Sequence, residues 1–184
     1  NSPHRFTFYN GDPAEYSNRL VGRTVLGAQG YGAFVDIFMD ADTHLLIGDG
    51  TNMRYYTSAE KAPKKYQLMI VFEDDSFLAF TVSMYGSIYA FKGEFDNPYY
   101  QGSIHKLCPL DERFDKTYFI SLIGNLKKDI SAKALLATEQ RIPGLGNGVC
   151  QDILFNARIS PKRKISTLSE EDICLLYTSD AADE

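Results

Sequence analysis

Tryptophan is absent from the 184 residues, and cysteine and histidine occur three times each. Cys108, Cys150 and Cys174 are far apart and form no CxxC pair. That argues against a disulfide scaffold or a complete zinc site and suits a reducing compartment. His4, His44 and His105 stand apart with no carboxylate at metal-ligand spacing. Long hydrophobic runs are also missing. The longest mainly apolar stretch, Tyr66 to Phe72, is far too short to span a bilayer, and no charged-then-apolar leader precedes it. A soluble, cytoplasmic protein is expected. Glycine (14) and proline (7) are too few for a collagen-like or disordered chain, and no repeat or low-complexity segment occurs. What remains is ordinary globular composition, 44% hydrophobic and 23% charged, in a length that allows one domain or two small ones.

The net charge of -5 speaks at first against a polyanionic partner. It is unevenly spread. Residues 126–164 hold eight basic side chains (Lys127, Lys128, Lys133, Arg141, Arg158, Lys162, Arg163, Lys164) against three acidic ones (Asp129, Glu139, Asp152), a local charge of +5. Polyanion binding follows such a local field, although a solvated basic face has the same composition.

The first hundred residues read mostly as strand. Val25 to Leu26, Ala33 to Met39, His44 to Ile47, Tyr66 to Phe72, Phe77 to Val82 and Ser87 to Phe91 are short runs of β-branched and aromatic residues. Glu73 to Ser76 reads as a hairpin turn. An early helix is expected with Asp12 as cap, Pro13 in its first position, Glu15 completing a capping box and Gly22 as its stop. Past Cys108-Pro109-Leu110 the spacing becomes helical, through Phe114, Tyr118, Phe119, Leu122 and Leu126. A second helix there follows Ser131 and carries Leu135 and Leu136. A third begins just after Asn147 with Val149, Ile153, Leu154 and Ala157 inward, and a fourth follows Ser169. The fold class is α+β: β-rich at first, then α-helical, with a boundary near residues 108–112.

Between the second and third helices lies Arg141-Ile142-Pro143-Gly144-Leu145-Gly146-Asn147-Gly148. Three alternating glycines running into a helix free backbone N–H groups to converge on an anion, and the helix dipole adds positive potential. Asn147 can cap the helix or donate to a phosphate oxygen. Lys162, Arg163 and Lys164 place three cations in the next loop. The segment is neither a Walker loop nor a GxGxxG fingerprint. From the residues alone, an anion site and a tight interhelical turn without ligand both stand. Asp152, near the helix start, is accounted for by the dipole.

The stretch from Glu139 to Lys164 resembles the helix–two-turns–helix motif of the formamidopyrimidine-DNA glycosylase and endonuclease VIII family. Asn1 to Tyr9 resembles a segment of bacterial endonuclease VIII-like members, and the likeness continues through Leu20-Val21-Gly22-Arg23 to about Asp172. The resemblance implies a β-sandwich over residues 1–108 and a helix–two-turns–helix domain over residues 112–176, in a base-excision-repair enzyme that flips an oxidised base out of double-stranded damaged DNA, excises it and nicks the abasic site by β-elimination. It implies DNA binding by Gly144, Gly146, Asn147, Gly148, Lys162, Arg163 and Lys164. Met84-Tyr85-Gly86 matches the intercalating stretch, so that Tyr85 could stack in the gap, although an ordinary strand aromatic fits it too.

The family's nucleophile is an N-terminal proline followed by glutamate, assisted by a lysine on a β-turn. Here Pro3 precedes His4, and the matching turn, Gly32-Ala33-Phe34, has no lysine. No catalytic residue is therefore assigned, and the chain reads as a fragment lacking the catalytic start and the family's four-cysteine zinc finger. Zinc is expected only in a full-length protein, with no cofactor in this chain. Residues 177–184 read as a non-native tail. A monomeric, bacterial, nucleoid-associated protein is implied, with a catalytically silent damaged-DNA binder as the alternative.

Overall fold

A computed structural model describes residues 6–179. The chain divides into two compact units, Asn1–Phe95 and Asp96–Glu184. In the first, eight strands form two sheets: β1 (Thr7–Phe8), β2 (Val25–Tyr31), β3 (Phe34–Met39), β4 (Thr43–Gly48), β5 (Thr51–Tyr56), β6 (Leu68–Val71), β7 (Phe77–Val82) and β8 (Gly86–Lys92). One sheet has the order β1-β8-β4-β3-β2, the other β5-β7-β6. All pairings are antiparallel except β1 with β8. Ile37, Leu45, Ile47, Ile88 and Ala90 of the first sheet share a core with Phe80 and Val82 of the second. Two sheets closing on one apolar layer make a sandwich. Beside β6 and α1 (Tyr16–Leu20) the layer opens into a cavity of about 1310 Å³, lined in part by Tyr16, Leu20, Val25, Met39, Leu68 and Ile70.

Six of the eight strands coincide with the apolar runs of the sequence. β5 does not. Its central residues are exposed and only Thr51 and Tyr56 are half-buried, so it carries no burial pattern to read. The early helix begins with a 3-10 turn, Pro13–Glu15, capped by Asp12, whose side chain accepts from Ala14 N–H at 2.9 Å. The expected capping box is absent. The Glu15 carboxylate instead accepts from the Asn18 amide, and Gly22 ends the segment with φ +74°.

The second unit holds α2 (Pro98–His105), α3 (Lys116–Gly124), α4 (Ala132–Ala137), α5 (Asn147–Asn156) and α6 (Glu170–Thr178). Helix α2 was not expected, although its sequence signal is present: Asn97 caps the Tyr99 and Tyr100 amides and Pro98 takes the first turn. It places the division between units at Phe95/Asp96, one helix before the change of character at Cys108. Leu135, Leu136, Ile153, Leu154 and Phe119 form the core of this unit. Removing one buried leucine here costs about 2–5 kcal/mol. Val149 does not point inward as expected: it is 48% exposed on the outer side of α5. Tyr177, at the head of the segment read as a tail, lies in α6 and packs against that core, its ring 6.0 Å from Phe119.

Candidate nucleic-acid interface

Two successive turns join α4 to α5. Arg141 N–H donates to Thr138 O at 3.2 Å, closing the first, and Leu145 N–H donates to Ile142 O at 3.3 Å, closing the second. Side-chain burial sorts the loop into two faces. Ile142 and Pro143 are buried and Leu145 packs against the helical core, which fixes the path of the backbone. Gly144, Gly146, Asn147 and Gly148 are exposed. Gly144 needs its glycine for conformation, with φ +86°. Gly146 and Gly148 do not. Neither lies in the left-handed region, and a methyl at either would meet nothing within 4 Å. Nothing inside this unit requires them to lack a side chain.

Helix α5 also begins open. Its N-cap is Gly146, with no side-chain cap, whereas Asn97, Asp115, Ser131 and Ser169 cap α2, α3, α4 and α6. The Asn147 carboxamide forms no hydrogen bond among the described residues, so of its two possible roles the cap is not the one adopted. Among those residues no acceptor takes the amides of Asn147, Gly148 and Val149. The first turn of α5 carries no acidic residue. Asp152 falls in the second turn, where the dipole has faded, so the dipole does not account for it. The start of α4 differs: Ala132 N–H donates to Arg163 O at 2.9 Å and Lys133 N–H to Pro161 O at 3.2 Å.

Those bonds stitch the cationic loop to α4 and divide its three charges. Arg163 is engaged by Asp172 at 2.7 Å and by Thr167 O at 2.9 Å. Lys164 donates to Asp129 O at 3.1 Å. Lys162 is exposed with no partner among the described residues. Lys133, which the sequence reading counted but did not select, is exposed too. Burial pushes the Cys150 thiol up, opposed by the Lys133 charge. Its signal was the i+2 position after the Ser131 cap, on the turn facing Pro161.

Tyr85 lies in the other unit. It sits in the short β7–β8 connection, which passes from one sheet to the other, rather than within a strand, 58% exposed, with φ +58° and its ring 4.9 Å from that of Phe6. Met84 beside it is 60% exposed. Gly50 lets this connection approach, since a methyl there would stand 2.7 Å from Met84 O. The turn Gly32–Ala33 between β2 and β3 carries no lysine, as read. Pro3 and His4 lie outside the described residues. His44, which the sequence left without a role, sits diagonally across the β3–β4 ladder from Asp36. Its Nδ1 is 3.0 Å from Asp36 Oδ2, and its ring stacks on Phe91 at 5.0 Å. Among the described residues no group of three or more His, Cys, Asp or Glu side chains could hold a metal. The family's zinc finger does not fit these residues.

A β-sandwich unit followed by a helical unit with an open helix–two-turns–helix loop defines the fold of the Fpg-type DNA glycosylases. A complex between inhibited LlFpg and DNA containing N7-benzyl-Fapy-dG matches with TM-score 0.73 and 23% identity, over 91% of this chain and 62% of that one. Lactococcus lactis Fpg with abasic-site DNA matches with TM-score 0.72, 23% identity and the same coverage. No family model matches. In sequence, the chain is 30% identical over 173 residues to the formamidopyrimidine-DNA glycosylase of Listeria monocytogenes serotype 4b (strain F2365), covering 90% of this chain and 60% of that protein. The Arabidopsis thaliana formamidopyrimidine-DNA glycosylase is 28% identical over 184 residues, covering 91% and 46%. By sequence and fold together the chain is similar to the formamidopyrimidine-DNA glycosylases. It spans about three-fifths of the length of the bacterial relatives it matches. Among the described residues no helix is long and apolar enough to cross a membrane.

Proposed function

We propose that this chain is the DNA-anchoring part of a base-excision DNA glycosylase with abasic-site lyase activity, binding damaged double-stranded DNA as a monomer at the bacterial nucleoid. The observation that carries the reading is the open start of α5. Three amides without acceptors, a free carboxamide and two glycines that no internal contact demands face solvent together. Backbone N–H groups at a helix start bind phosphate through direct donation and the dipole, and only a side-chain-free backbone lets the phosphate approach. Lys162 and Lys133 supply the nearby charge, and Arg163 and Lys164 brace the loop that carries Lys162. Tyr85, in the connection between the two sheets, has the exposure a base-stacking wedge needs.

Asn147→Ala tests the anchor. With no cap to lose, its thermal midpoint should match the parent chain, where loss of a capping side chain would cost about 1 kcal/mol. Duplex affinity should fall uniformly across sequences, because phosphate contacts position rather than specify. An unchanged affinity and salt slope in the folded variant would overturn the reading.

A second reading, a damaged-DNA binder that does not cut, is favoured by the Gly32–Ala33 turn, which lacks the lysine of the family pattern. Borohydride reduces only an iminium, so a covalent band requires an amine nucleophile on the protein. With these 184 residues we expect DNA binding and no covalent band on abasic DNA; a band would exclude the silent binder.

A further inference from the structure

Just before the glycine loop, Glu139 and Gln140 both adopt left-handed backbone conformations, with φ +55° and +46°. Neither is glycine, and two such residues in succession are costly unless their surroundings hold them. The holder is Lys106, the residue that ends α2. Its ammonium donates to Gln140 O at 3.0 Å and to Glu139 O at 3.4 Å. The same helix supplies Ser103, which is buried and donates to Gln140 Oε1 at 3.4 Å. The helix packs close to Gln140 here, where even a methyl at Gly102 would stand in ordinary contact with the Gln140 Cβ at 3.5 Å.

A peptide plane is rigid, so a carbonyl fixed on one side fixes the next N–H on the other. Holding Gln140 O therefore aims Arg141 N–H, which closes the first turn on Thr138 O. Arg141 in turn ties the end of α4, its Nη1 donating to Ala134 O at 3.0 Å and to the Thr138 hydroxyl at 2.7 Å. The path into Ile142, Pro143 and the glycines starts from this point.

We propose that Lys106 is a positioning residue for the DNA-phosphate loop: by holding the carbonyl oxygens of Glu139 and Gln140 it keeps the first turn in the conformation that presents Gly146, Asn147 and Gly148. It touches no DNA itself and rests on the phosphate-anchor reading above. Burial pushes the Lys106 ammonium toward lower pKa, with the Arg141 charge adding to this and Glu139 opposing it. A half-buried cation kept at that cost suits a residue whose charge does a local task.

The test is a set of full-chain variants measured against a fluorescently labelled duplex: Lys106→Met, Lys106→Arg, Asn147→Ala and the Lys106→Met/Asn147→Ala double variant. Without the ammonium the turn samples relaxed conformations, and apparent affinity falls in proportion to the competent fraction. If that fraction drops to a tenth, Lys106→Met weakens binding about tenfold. Lys106→Arg should restore most of the affinity. The double variant should lose less than the two single losses combined, because both act through one loop. Lys106→Met with parental affinity, or strict additivity with Asn147→Ala, would overturn the proposal. So would an affinity loss that Lys106→Arg does not rescue at parental thermal midpoint. Were Asn147→Ala also without effect, the phosphate-anchor reading itself would fail, which keeps the two failures distinct.

Discussion

Substituting Gly148 by alanine should move stability and DNA binding in opposite directions. Gly148 is the second residue of α5, its backbone is outside the left-handed region, and an added methyl meets nothing within 4 Å. Alanine is favoured over glycine inside a helix by about 0.8–1 kcal/mol, and less in a first turn, so a gain of about 0.5–1 kcal/mol is expected. For a unit the size of Asp96–Glu184 that is a rise in thermal midpoint of about 2–8 °C. The methyl would occupy the space in which a phosphate oxygen must come within about 2.9 Å of the amides. Loss of that approach should weaken duplex binding about tenfold, or 1.4 kcal/mol. Differential scanning calorimetry and fluorescence anisotropy on the same preparation read both quantities. A stabilised variant with unchanged affinity would refute the argument that this glycine is kept for a ligand.

The loop cations should separate by their partners. Lys162→Met should reduce the salt slope of DNA binding by about one with little change in stability, whereas Arg163→Met should chiefly destabilise, because its guanidinium holds Asp172 and Thr167 O. The α6 cap should set part of the acid response. Hydrogen bonds from the Ser169 N–H and hydroxyl, with Arg163 adding, hold the Asp172 carboxyl below its ordinary value of 3.8. A carboxyl depressed on folding contributes stability that is complete above that ordinary value and is lost as pH falls through the lower folded one. Asp172→Asn should therefore flatten the acid limb of a stability–pH curve and leave the neutral-to-alkaline limb parallel to the parent.

Much of the architecture is legible in the sequence because burial writes itself as periodicity. β4 and β7 are buried at most of their positions, and both stand out as apolar runs. β5 is an edge strand of Thr, Asn, Met, Arg and Tyr whose central side chains are exposed, which leaves no apolar run to read. Val149 shows the opposite failure: an apolar residue on a helix need not face the core when Cys150, Ile153 and Leu154 already fill that face. At the candidate site, residue identity points to Gly144–Gly148. Which cations remain available there depends on distant partners, since Arg163 meets Asp172 and Lys164 meets the backbone of Asp129. The role of Lys106 depends on a contact across more than thirty residues and a left-handed turn that no local pattern announces.

The most direct test of the phosphate anchor is an amide NMR titration of the chain with unlabelled duplex DNA. The Asn147, Gly148 and Val149 amides have no acceptor within the described chain and should shift most, in step with saturation and less at higher salt. Ala132 and Lys133, whose amides are already bonded to Arg163 O and Pro161 O, should move little. Large shifts at the start of α4 with none at the start of α5 would contradict the account.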